Sequence, residues 1–154
     1  MTVEQKSEHG NLLQFPTGGS ESFYQQVLSN LIAADISFLV GGGFAIAAYT
    51  GVNRATKDLD LFVTPGEFPR LLSYLKQKDH RISVEDERWI GKIHSGSDFI
   101  DVIFGSANGM VPVQKDWFEH GREANLFGLY VTLLSPTDLI WSKALIKSEP
   151  LRRC

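Results

Sequence analysis

The sequence predicts an α/β (α+β) domain built on a mixed, twisted sheet with flanking helices. Three observations carry that expectation. Segments of helical periodicity alternate with short apolar runs of strand length, and two of those runs are joined as a hairpin. At 154 residues the chain is long enough for one well-buried core and short for two. Hydrophobic residues make up 43% and charged residues 21%, values typical of folded domains, which excludes disordered and fibrous classes.

Residues 1–19 are polar and carry Gly10, Pro16, Gly18 and Gly19, so they read as a flexible arm ahead of a domain over 20–149, with 150–154 as a tail. From Ser20 onward Phe23, Val27, Leu28, Leu31 and Ile32 share one helical face, with Ser20 or Ser22 placed as its amino-terminal cap. Residues 36–40 are short, apolar and stopped by Gly41, Gly42 and Gly43, the pattern of a buried strand. An alanine-rich helix over 44–50 ends at Gly51, and a second strand over 59–63 closes at Thr64, Pro65 and Gly66. Phe68, Leu71, Leu72 and Leu75 predict a helix over 67–78. The hairpin has arms at 89–94 and 99–104 around a turn at 95–98. A helix is expected over 114–121 and a strand over 129–134. A last helix follows, capped by Ser135, opened by Pro136 and Asp138, and bearing Leu139, Ile140, Trp141, Lys143 and Leu145.

Composition narrows the function. The longest apolar run, 36–40, is too short to cross a bilayer, and the amino terminus lacks an apolar core of the secretory type. A lone cysteine, Cys154, excludes an internal disulfide and a cysteine-rich zinc site. A cytoplasmic location follows as the expectation. The net charge of −3 gives no support to nucleic-acid binding by charge alone; Lys76, Lys78, Arg81, Arg152 and Arg153 form either a basic patch or a solvated face. His9, His80, His94 and His120 lack the spacing of zinc ligands.

The chemistry is concentrated around the acids. Side chains alternate along a strand, so Asp58 and Asp60 face one way while Leu59 and Leu61 face the core. Neighbouring carboxylates repel unless a cation lies between them, and magnesium, with its preference for hard oxygen ligands and phosphates, suits that place. A strand that runs into Gly41, Gly42 and Gly43 and opens a helix leaves backbone N–H groups bare, an anion-binding corner for a triphosphate. Asp101 is the one charge in the apolar strand 99–104, a costly placement unless it is paired or bound to metal. Arg54 and Lys57 either neutralise phosphates or are loop charges, Lys143 is either a phosphate ligand or a surface lysine, and Trp89 and His94 either line the pocket or pack the hairpin. The glycines are neither a P-loop nor a dinucleotide fingerprint, and the acidic pair lacks the Thr and Gly turn of a haloacid dehalogenase phosphatase.

Gly42-Gly43, fourteen residues, Asp58-Leu-Asp60, and then Asp101 in an apolar strand resemble the minimal nucleotidyltransferases of the DNA polymerase beta superfamily, in particular the small bacterial ones of toxin–antitoxin and abortive-infection systems and the aminoglycoside nucleotidyltransferases. The stretch 134–143, a strand end followed by a helix bearing Lys143, looks like the family's closing unit, and the resemblance covers 36–147. It implies a nucleotidyltransferase fold and Mg-dependent transfer of an NMP from an NTP to a hydroxyl on a small molecule, an RNA end or a protein. It also implies two Mg2+ ions on Asp58, Asp60 and Asp101, with Asp101 completing the metals or acting as base, and Gly42, Gly43 and Lys143 contacting the triphosphate. Gly43 stands where many relatives have serine, and the family's further helices do not follow within 150–154, so the resemblance implies that the substrate-side helices are missing, supplied by a partner subunit or second copy, or lost by truncation. The alternative is a catalytically inactive module of the same fold that binds nucleotide or a partner protein.

Overall fold

The computed structural model describes residues 19–51 and 59–146. Their elements run α1 (Gly19–Ala33), β1 (Leu39–Gly41), α2 (Gly42–Thr50), β2 (Asp60–Phe62), α3 (Phe68–Gln77), β3 (Arg81–Asp86), β4 (Ile90–Ser95), β5 (Asp98–Ile103), α4 (Asp116–Glu119), β6 (Arg122–Leu126), β7 (Leu129–Leu133) and α5 (Pro136–Ile146). The strands form one seven-stranded sheet in the order β3-β4-β5-β2-β1-β7-β6. A three-stranded meander, β3-β4-β5, and a hairpin, β6-β7, flank an antiparallel β1-β2 centre and join it through the parallel pairs β2-β5 and β1-β7. The mixed sheet with flanking helices expected from sequence is the fold observed.

Alternation sorts the two faces of the sheet. Leu59 and Leu61, Ile100 and Val102, and Ile93 are buried on one side. There α3 lies close: a Cβ added at Gly91 of β4 would come within 2.8 Å of the Phe68 ring, so glycine at this position lets α3 approach. Phe68 also stacks on Phe104 with ring centroids 4.4 Å apart. On the other face Phe62 meets Trp117 of α4 at 6.3 Å.

Helix α1 buries Phe23, Tyr24, Val27, Leu28 and Leu31, whereas Ile32 is 44% exposed. The sequence reading placed Ile32 on the core face and passed over Tyr24. At 100° per residue the stripe is centred between Phe23 and Leu28, which leaves Ile32 beyond its rim. Within the described residues α1 runs from Gly19, so Ser20 and Ser22 lie within it. Ile36 and Phe38 are buried as expected, but the strand itself is only Leu39–Gly41. Two strands escaped the sequence reading. β3 is an edge strand exposed along much of its length, and β6 (Arg-Glu-Ala-Asn-Leu) is poor in strand-forming residues. β6 is held by a two-residue hairpin turn in which Phe127 and Gly128 both have positive φ, 57° and 82°, and Asn125 Oδ1 accepts the Gly128 N–H at 3.1 Å.

The cap on α5 is as the sequence indicated. Ser135 Oγ accepts the Asp138 N–H at 3.0 Å, and Tyr49 Oη donates to the Leu134 carbonyl at 2.6 Å just before it, tying α2 to the end of β7. Replacing Ser135 by alanine is expected to lower unfolding free energy by about 1 kcal/mol in urea denaturation. Against α1, His80 lies with Nε2 3.3 Å from Asn30 Nδ2, and burial lowers its pKa from 6.5 against the opposing pull of Asp79. A lowered pKa means that the unfolded chain binds the proton first. Stability from this site is therefore full above about pH 6.5 and falls as the pH drops through that range, and a His80→Gln variant should show a flatter slope in unfolding midpoints between pH 7.5 and 5.5.

Candidate active site

Strand register builds the site. Gly41 of β1 pairs with Asp60 of β2, Asp60 with Asp101 of β5, Asp101 with Lys92 of β4, and Lys92 with Ser83 of β3. Residues paired across strands share a face, so this is one row of side chains crossing five strands of the sheet. Asp60 and Asp101 are thus direct neighbours on adjacent parallel strands, on the face opposite Leu59, Leu61, Ile100 and Val102. Both are half-buried, with the Asp101 side chain 24% exposed.

Lys92 is the residue that the sequence reading missed. Its Nζ lies 2.6 Å from Asp101 Oδ1, its side chain is 26% exposed, and the ammonium also sits 4.1 Å from the centroid of the Phe99 ring. The signal was present in the hairpin: counting back from the turn pairs Ser95 with Asp98, and so Lys92 with Asp101. Further along β4, His94 Nε2 is 2.8 Å from Ser83 Oγ, which makes it part of the hairpin packing. Trp89 is buried just before β4, also as a packing residue.

The glycine corner adjoins this row. Gly41 is the residue before α2, in extended backbone, and no side chain caps the helix there. Gly42 has φ 71°, a left-handed conformation that favours glycine, and Gly43 follows within the first turn of α2. Gly41 is required for a different reason: an added Cβ would lie 2.6 Å from Phe62 Cε1 and 3.0 Å from Leu134 Cδ1. The start of α2, which no side chain caps at Gly41, therefore lies beside the strand position that pairs with Asp60, an arrangement that suits an anion next to a carboxylate-bound cation.

Of the residues singled out in sequence, the structure brings Gly41, Asp60 and Asp101 into one row across three central strands, with Gly42 and Gly43 following Gly41 at the start of α2. Lys143 is exposed on α5, and the ammonium on Asp101 is that of Lys92. Asp58, Arg54 and Lys57 lie outside the described residues. Among the described residues no group of three or more His, Cys, Asp or Glu side chains is gathered to hold a metal, and Asp60 and Asp101 are the two whose chemistry and adjacency suit a hard divalent cation.

The family model for the AbiEii nucleotidyl transferase toxin of type IV toxin–antitoxin systems matches residues 26–150. The chain belongs to the AbiEii nucleotidyltransferase family. Solved structures agree with this AbiEii assignment at the level of fold. A candidate nucleotidyltransferase from Thermotoga maritima matches with TM-score 0.63 at 13% identity, covering 94% of this chain and 96% of that one. The lincosamide antibiotic adenylyltransferase LnuA, bound to lincomycin, matches with TM-score 0.58 at 18% identity over 81% and 85% of the two chains. ANT(2'')-Ia in complex with adenylyl-2''-tobramycin matches with TM-score 0.63 at 19% identity over 87% and 80%. No curated protein matches the chain in sequence. The AbiEii family and this fold support transfer of a nucleoside monophosphate, and among the described residues no helix is long and apolar enough to cross a membrane.

Because Phe62 and Leu134 fill the space beside Gly41, Gly41→Ala should cost about 1–3 kcal/mol in chemical denaturation, the usual range for overpacking. A cost below about 0.5 kcal/mol would mean that the glycine corner is not tightly packed.

Proposed function

We propose that the domain, over residues 20–149, transfers an NMP from an NTP to a hydroxyl acceptor, with Asp58, Asp60 and Asp101 holding two Mg2+ ions. The observation that supports this best is the in-register Asp60–Asp101 pair beside the uncapped, glycine-lined start of α2. The metal would supply charge neutralisation of the triphosphate and of the leaving pyrophosphate. Gly42 and Gly43 offer N–H groups to phosphate oxygens, and Arg54, Lys57 and Lys143 are the cations proposed to assist. In the reaction the acceptor oxygen bonds to the α-phosphorus as the P–O bond to pyrophosphate breaks. Asp101 would complete the metal ligands or act as the base that takes the acceptor proton. Positioning and electrostatics carry most of such a transfer.

ATP as donor, and a hydroxylated small molecule as acceptor, are suggested by the adenylyl-2''-tobramycin and lincomycin complexes of the neighbours. An RNA end or a protein hydroxyl fits the same chemistry, and a second copy or a partner subunit is a further proposed partner. The reading places the enzyme in the cytoplasm, where NTP and magnesium are abundant. One observation favours the inactive module: the Lys92 ammonium already neutralises Asp101.

Incubation with each α-labelled NTP, magnesium and a cell lysate separates the two. The enzyme reading expects label transferred to an acceptor, and Asp60→Asn and Asp101→Asn each to reduce it by at least about a hundredfold. Absence of transfer from all four nucleotides, with Mg-NTP binding retained, would establish the module instead.

A further inference from the structure

The unassigned feature of the site is the lysine. Asp101 sits between a carboxylate on β2 and an ammonium on β4. Like charges paired directly across strands destabilise a sheet, and half-burial weakens the solvent screening that would soften this. Lys92 meets that need from the side of Asp101 away from Asp60. Its stem is not free to roam, because the ammonium is held at two points, 2.6 Å from Asp101 Oδ1 and 4.1 Å from the centroid of the Phe99 ring.

We propose that Lys92 is the resident counter-cation of the acidic row. It orients the Asp101 carboxylate in the metal-free protein and competes with the divalent cation for it. The inference rests on the metal-binding reading above and adds a positioning residue to it. A salt bridge of purely surface character would contribute little and would leave metal affinity untouched. A cation seated on a metal-binding carboxylate, in contrast, must lower that affinity, because the incoming metal meets one fewer unit of negative charge.

Thermal unfolding across a magnesium titration tests the idea without reference to turnover. Lys92→Met keeps most of the stem and removes the charge. Without magnesium this variant should unfold at a lower temperature than wild type, and the magnesium concentration that gives half of the stabilisation should fall on the order of tenfold. Lys92→Arg, which keeps the charge, should hold the wild-type midpoint. Equal midpoints for Lys92→Met and wild type would overturn the inference. So would a Lys92→Met chain that stays unfolded at saturating magnesium, since a counter-cation's role is one that a second cation fulfils. The metal reading is judged separately by Asp60→Asn and Asp101→Asn: a wild-type magnesium response that survives both sinks that reading. If wild type shows no response, the Lys92 inference is supported by a response gained in Lys92→Met and overturned by its absence.

Discussion

The register between β2 and β5 is the constraint on which the site depends. Because side chains alternate, a slip of one residue would turn Asp101 into the apolar layer filled by Ile100 and Val102 and would bring a hydrophobic residue beside Asp60. Burying an uncompensated carboxylate is costly, so the apolar side chains of the opposite face fix the register and thereby hold the two acids together. The same alternation extends the row to Gly41 on one side and to Lys92 on the other. The core thus specifies the polar geometry.

The glycine corner is bound to that row by packing. Gly41 admits the Phe62 ring and Leu134 where any side chain would collide, and Phe62 is two residues along the same strand from Asp60. Gly42 then turns the chain into α2 through a left-handed residue. Tyr49, at the far end of α2, is pinned to the Leu134 carbonyl, so the helix is anchored at both ends. A helix start held this firmly can present its N–H groups without rearrangement, which favours binding of an anion by lowering the cost of ordering.

Much of this was legible in the sequence, for identifiable reasons. Asp101 stood out as the one charge in an apolar strand, and the Ser135, Pro136, Asp138 start of α5 carried its cap in its residue types. Strands β3 and β6 were illegible because an edge strand with solvent on much of its surface needs no apolar alternation, and β6 relies on its turn and on pairing with β7. Ile32 was misplaced because a helical stripe drifts, so the last apolar residue of a periodic run can lie past its edge. Lys92 is a subtler case. Nothing in its immediate neighbours marks it, and only counting the hairpin register from the turn sets it opposite Asp101. Contacts across strands are encoded by register and not by local pattern.

The proposed function requires a divalent cation at the row of Asp60 and Asp101. Manganese has an anomalous signal and takes the same hard oxygen ligands as magnesium, so crystals soaked in manganese with a non-hydrolysable NTP test it most directly. An anomalous peak at the carboxylates of Asp60 and Asp101 is expected, with the triphosphate against Gly42 and Gly43. Ordered nucleotide with no peak at those two carboxylates, or a peak bound elsewhere, would contradict it.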